Sequence, residues 1–146
     1  MKILALDPAT VTGFCTSTTS GVWNLKTKSY ESKGMRLIKM RSSIDEICKA
    51  EGITFIVYEK PGGRNYNALK SHSNFEGIIQ AYALDNGIEY KGYSASEIKK
   101  FATGKGNANK QAMIDACIKT YGFTPEDDNQ ADAVHLYNLA KSEFKI

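Results

Sequence analysis

An α/β fold on a mixed five-stranded sheet is predicted by three features of the 146-residue sequence. Ile3 to Leu6 and Ile53 to Tyr58 are short and apolar throughout, as buried central strands are. Between them, residues 33–51 switch to a repeat of threes and fours. A helix joining two buried strands implies a parallel crossover. Residues 1 to about 30 instead suit two consecutive hairpins, which puts three antiparallel strands ahead of two parallel ones.

The chain is the right size for one domain, residues 1–146, with a single substantial core. Apolar residues at 42% and charged residues at 24% are ordinary for a globular protein. Nineteen Lys and Arg against sixteen Asp and Glu give a charge of +3, a weak basic excess that suits a nucleic-acid partner. Cys15, Cys48 and Cys117 are widely spaced, odd in number and set beside apolar residues. They read as core residues in a reducing compartment, without a disulfide framework. No signal peptide precedes the first strand, and no apolar run is long enough to cross a bilayer, so the expected location is the cytoplasm.

The first strand ends at Asp7, because Pro8 cannot continue a central strand. On this stretch alone, Asp7 is equally well explained as a turn cap. Residues 13–19 and 22–28 are rich in Thr, Phe, Val and Trp and read as two strands, with Ser20-Gly21 as the turn. Trp23 is expected to pack on the sheet. The helix over 33–51 has Leu37, Met40, Ile44, Ile47 and Cys48 on its apolar face, and Gly52 stops it. Its Lys33, Arg36, Lys39 and Arg41 read as a solvated face. After the strand at 53–58 comes Glu59, then a loop, Pro61 to Asn67. A helix over 71–86 follows, then a fifth strand over 88–93. Ser94 to Glu97 forms a capping box for a short helix reaching about Phe101. A glycine- and lysine-rich loop, Thr103 to Lys110, leads into a helix over 111–120. Thr124 and Pro125 fit the N-cap and first position of a last helix.

Asp7 and Glu59 share one relation: each follows an apolar strand and precedes a proline-containing loop. Parallel neighbours would bring both carboxylates to one sheet edge, where open α/β sheets carry their sites. Like charges held close repel. A hard divalent cation bound through oxygens is the usual reason such a pair is tolerated. Asp132, between Ala131 and Ala133, sits where small neighbours let a helix approach the sheet. Asp128 lies four residues earlier and shares its helical face. Arg64 and Tyr66 offer a phosphate contact and a stacking surface, or else belong to a plain surface loop. Lys105 and Lys110, with backbone N–H groups at a helix start, make a phosphate seat, or else a loop and cap.

Together, LALDPATVTG at 4–13, IVYEKP at 56–61, IKKFATGKGNANK at 98–110 and ADA at 131–133 resemble the Holliday-junction resolvases of the RuvC type, within the ribonuclease-H-like superfamily. The compact motifs are most similar to phage members. The resemblance implies a ribonuclease-H-like mixed sheet flanked by helices, a homodimer, and four metal-binding carboxylates. Asp7 matches the first, Glu59 the second and Asp132 the last. The third usually stands three residues before the last, where this chain has Asn129, so Asp128 is assigned that role.

The implied activity is cleavage of four-way DNA junctions by paired nicks, one per subunit, with two Mg2+ ions per site and Mn2+ able to substitute. Two alternatives stay open. One is a nuclease of the same fold acting on other branched DNA or RNA–DNA substrates. The other is a non-catalytic nucleic-acid-binding module, favoured only by Asn129.

Overall fold

The computed structural model describes residues 1–62 and 66–145. Its strands are β1 (Ile3–Asp7), β2 (Val11–Cys15), β3 (Ser20–Asn24), β4 (Phe55–Glu59) and β5 (Glu89–Tyr93). Its helices are α1 (Met35–Glu51), α2 (Tyr66–Asp85), α3 (Ala95–Thr103), α4 (Lys110–Tyr121) and α5 (Asp128–Glu143). The strands form one sheet in the order β3-β2-β1-β4-β5. β1–β2 and β2–β3 are antiparallel, whereas β1–β4 and β4–β5 are parallel, as the sequence predicts.

The alternation of side chains along β1 and β4 divides the core in two. Leu4, Leu6, Ile56 and Tyr58 pack with Met40, Ile44, Phe75 and Ile79 of α1 and α2. Ile3, Ala5, Phe55 and Val57 pack on the other face with Ile98, Met113, Ala131 and Leu136 of α3, α4 and α5. Because helices cover both faces, these strands carry no charged side chain until their last residue. Each fully buried Leu or Ile contributes roughly 1.5–3 kcal/mol. A polar clasp ties α2 to β4: the Tyr58 hydroxyl donates to Glu76 Oε2 at 2.7 Å and accepts from Gln80 Nε2 at 2.9 Å. All three cysteines are free and buried.

Three boundaries depart from the sequence prediction. Ser20 and Gly21 are not the turn of the second hairpin but the start of β3, opposite Cys15 and Phe14. The turn lies at residues 16–19. There the Thr16 N–H donates to the Thr19 carbonyl at 2.7 Å, and Thr16 Oγ1 accepts from the N–H groups of Thr18 and Thr19. A threonine hydroxyl closes this turn, with no glycine needed. Trp23 packs on the sheet as expected, stacked on Phe14 with ring centroids 4.8 Å apart.

Secondly, α2 begins at Tyr66 and not at Ser71. Residues 67–70 of its first turns are exposed, so no buried apolar period reveals them. Thirdly, α5 is capped by Asp127, not by Thr124. Asp127 Oδ1 accepts from the Gln130 N–H at 2.8 Å, while Gln130 Oε1 accepts from the Glu126 N–H at 2.6 Å. Gln130 Nε2 also donates to Ser20 Oγ at 3.0 Å, anchoring the helix start to β3. An Asp cap with Gln three residues on is a variant of the capping box, and it outcompetes the Thr-Pro start.

At Gly13 the backbone of α5 lies directly against the sheet. A Cβ built there would stand 1.9 Å from the Asn129 carbonyl oxygen and 3.0 Å from the Gln130 nitrogen. Backbone cannot yield as a side-chain tip can, so Gly13→Ala should cost about 2–3 kcal/mol or more by forcing α5 off β2. Gly77, on the exposed face of α2, has nothing within 4 Å of an added Cβ. Gly77→Ala should therefore stabilise by about 0.5–1 kcal/mol. Urea titrations of both variants test this pair; equal effects would refute the contact at Gly13.

Candidate metal centre

Asp7 and Glu59 are the final residues of adjacent parallel strands, and the register Leu6↔Tyr58 carries forward to set them side by side. Both continue the odd-numbered rows, Ile3–Ala5 and Phe55–Val57, that face α5. The chain after Asp7 is held by Thr12, fully buried in β2. Thr12 Oγ1 donates to the Ala9 carbonyl at 2.5 Å and accepts from the Ala9 N–H at 3.3 Å. From α5, Asp132 completes the group between Ala131 and Ala133, both wholly buried. One carboxylate oxygen from each of Asp7, Glu59 and Asp132 lies within 4.8 Å of the others.

This arrangement is electrostatically costly. Burial, then the charges of Glu59, Asp132 and Asp128, raise the Asp7 carboxyl well above the usual carboxylate range. Burial also raises Glu59, against the opposing effect of Lys99. Asp132 is pushed up to about 7, by burial first and then by Glu59 and Asp128. Asp132 Oδ1 is buried without a hydrogen-bond partner among the described residues. Three desolvated carboxylates, one with an orphaned oxygen, fit a hard divalent cation that takes oxygen ligands.

Asp128, the first residue of α5, is not a member of the triangle. Its charge nevertheless reaches Asp7 and Asp132. Its Oδ2 lies 4.0 Å from Lys110 Nζ, at the limit of an ion pair. Asn129 presents its backbone to Gly13. Lys105 and Lys110 are both exposed, in the loop before α4 and at its first residue. Asn109 caps α4, accepting from the Ala112 N–H at 2.9 Å. Arg64 and the side chain of Tyr66 lie outside the described residues.

One basic residue escaped the sequence prediction. Lys99, on α3, is the cation that opposes the raised values of both Glu59 and Asp132. The available signal was its place after buried Ile98 in a helix whose Ser94 cap is legible.

A family model, "Crossover junction endodeoxyribonuclease RuvC", matches residues 9–137. The chain is 26% identical to RuvC of Gloeobacter violaceus over 93% of its own length and 85% of that protein. Over 47% of the chain it is 39% identical to RuvC of Brachyspira hyodysenteriae, an alignment that spans 42% of that relative. Among solved structures, T. thermophilus RuvC in complex with Holliday junction substrate superposes with a TM-score of 0.77 at 16% identity, covering 99% of this chain and 94% of that one. The yeast mitochondrial Holliday junction resolvase Ydc2 gives 0.61 at 12% identity, covering 98% and 81%. At these identities the superpositions speak for the fold, which is ribonuclease-H-like.

The raised carboxyls fix a pH dependence. Between about 3.8 and about 7 for Asp132, the folded chain binds more protons than the unfolded chain. Stability in chelator should therefore fall as pH rises through that window. Divalent cation should restore it at the upper end, because it replaces the protons. Thermal melts at each pH, with and without Mg2+, check this; a melting temperature that climbs across the window in chelator would refute the crowded cluster.

Proposed function

The chain belongs to the RuvC family of crossover junction endodeoxyribonucleases, and we propose on that premise that it cuts four-way DNA junctions by metal-dependent phosphodiester hydrolysis. The observation that carries this reading is the triangle of Asp7, Glu59 and Asp132 at one end of the sheet. In this reading residues 1–146 form one nuclease domain, working as a homodimer whose subunits nick opposing strands. No helix among the described residues is long and apolar enough to cross a membrane, and the proposed site of action is the cytoplasm.

Asp7, Glu59 and Asp132 would hold Mg2+, two ions per site, with Mn2+ able to substitute and with Asp128 as the fourth carboxylate. Ions held by these carboxylates would supply Lewis acidity toward an attacking water and the leaving 3′ oxygen, in a hydrolysis that leaves a 5′ phosphate and a 3′ hydroxyl. The protein's part is positioning and charge balance. Asp7, the most buried of the three, is fixed by its strand and by the Thr12-braced turn behind it. Lys99 offsets part of the negative charge, so the incoming phosphate meets less repulsion. Lys105 and Lys110 hold the backbone of the substrate, and Arg64 and Tyr66 are proposed to contact DNA near the cut. Approach of a phosphate to Lys110 competes with its distant pairing to Asp128.

Asp7→Asn, Glu59→Gln and Asp132→Asn should each abolish nearly all cleavage of an end-labelled four-way junction while leaving binding intact. Near-normal Mg2+-dependent rates in any two would overturn the site. Three-way, flap and RNA–DNA substrates run alongside separate junction resolution from broader nuclease activity. Asp128→Asn should lose most activity and Asn129→Ala much less, since an amide oxygen is a poor substitute for a carboxylate toward Mg2+. The opposite ranking would move the fourth ligand to Asn129.

Lys105→Ala combined with Lys110→Ala should weaken binding irrespective of sequence. The slope of log affinity against log salt should fall by about 0.9 per lost contact on duplex arms. An unchanged slope would reduce this stretch to a loop and helix cap.

A further inference from the structure

A polar groove runs between the starts of α1 and α2, lined by Lys33, Arg36, Asn67, Lys70, Ser71 and Asn74. Its α2 wall is one helical face, because residues 67, 70, 71 and 74 follow the spacing of three and four. No acid among the described residues lines it, and neither α1 nor α2 has an acidic residue in its first turn. None of the ion pairs among the described residues includes Lys33, Arg36 or Lys70. Three cations are thus gathered beside the positive ends of two helices, a placement that costs stability unless an anion joins them.

Arg36 is held ready for such an anion. Its guanidinium lies over the ring of buried Phe75, 5.8 Å from the centroid, and its Nε donates to the Lys33 carbonyl at 3.1 Å. Its Nη1 points to Thr10 Oγ1 at 3.5 Å. An arginine fixed by stacking and one backbone bond still has N–H donors for a phosphate. Lys33 and Lys70 are exposed on either side.

The place of the groove supplies its role. Thr10 lies three residues after Asp7, and α2 begins seven residues after Glu59. The groove therefore opens at the same end of the sheet as the carboxylates, on the α1–α2 face across the sheet edge from them. We propose that this groove seats the phosphate backbone of a DNA arm beyond the cut site, through Lys33, Arg36 and Lys70. The inference rests on the nuclease reading and adds to it a second, remote backbone contact on the other side of the sheet. A strand crossing the carboxylates runs over the sheet edge onto these three cations.

The test is Lys33→Gln combined with Lys70→Gln, which removes two charges from exposed positions and keeps the side chains polar. Binding to a four-way junction and to a linear duplex is measured against salt in chelator. Loss of two phosphate contacts should lower the salt slope by about 1.8 and weaken binding roughly fiftyfold near 0.1 M salt. Lys33→Arg with Lys70→Arg should restore both. Junctions with arms cut to about 5 base pairs, half a helical turn, should bind wild type and variant alike. Unchanged affinity and slope in the Gln variant, with a wild type that cuts junctions, overturns the groove and leaves the nuclease reading intact. A wild type that binds DNA through these lysines but cuts no branched substrate overturns the nuclease reading and leaves the groove.

Discussion

The site depends on how closely α5 lies against β2. At Gly13 the helix backbone occupies the space a β-carbon would need. That contact brings the α5 backbone down to the level of the sheet. Ala131 and Ala133, wholly buried on either side of Asp132, keep the approach close one turn further on. The strands alone provide a pair of carboxylates. Only the pressed helix turns the pair into a triangle tight enough to share an ion. Gln130 reinforces the same contact from the side, bonded to Ser20 on β3 and to the Glu126 backbone.

This closeness sets stability against chemistry. A core strand ending in a charge is already unfavourable, and facing it with two more carboxylates multiplies the desolvation and repulsion. The surrounding structure carries that cost through β1 and β4, buried on both faces and uncharged until their last residue. It is also carried by polar clasps away from the site, such as Tyr58 with Glu76 and Gln80. A rigid frame around a repulsive centre is preorganised for a cation, since the ligands need not converge when it arrives.

Much of this was legible in the sequence because it rests on short-range rules. Two apolar runs each ended by an acid gave the strand ends, and small residues flanking Asp132 marked the close helix. The family resemblance added the pairing of Asp132 with the other two. What escaped was set by side chains acting at a distance or in unexpected roles. The Thr16 hydroxyl closes the turn, where the local pattern points to Ser20-Gly21. Asp127 and Gln130 outrank Thr124-Pro125 as a helix start, because Gln130 finds partners on β3 that no local pattern reveals. Residues 67–70 at the start of α2 are exposed and add nothing to its buried period, which hid both their helicity and their part in the basic groove. Lys99 was missed because its relevance lies in its position across from Glu59, a tertiary fact.

The triangle draws one carboxylate from β1, one from β4 and one from α5. During synthesis the N-terminal elements emerge first and can begin to pair while α5 is still within the ribosome. Until that helix docks, Asp7 and Glu59 lack their third partner, and the nascent chain holds no assembled centre. Because Asp132 sits on a helix that follows all five strands, assembly of the triangle waits on the docking of α5. A nascent chain that stops short of α5 therefore carries two of the three carboxylates and no triangle.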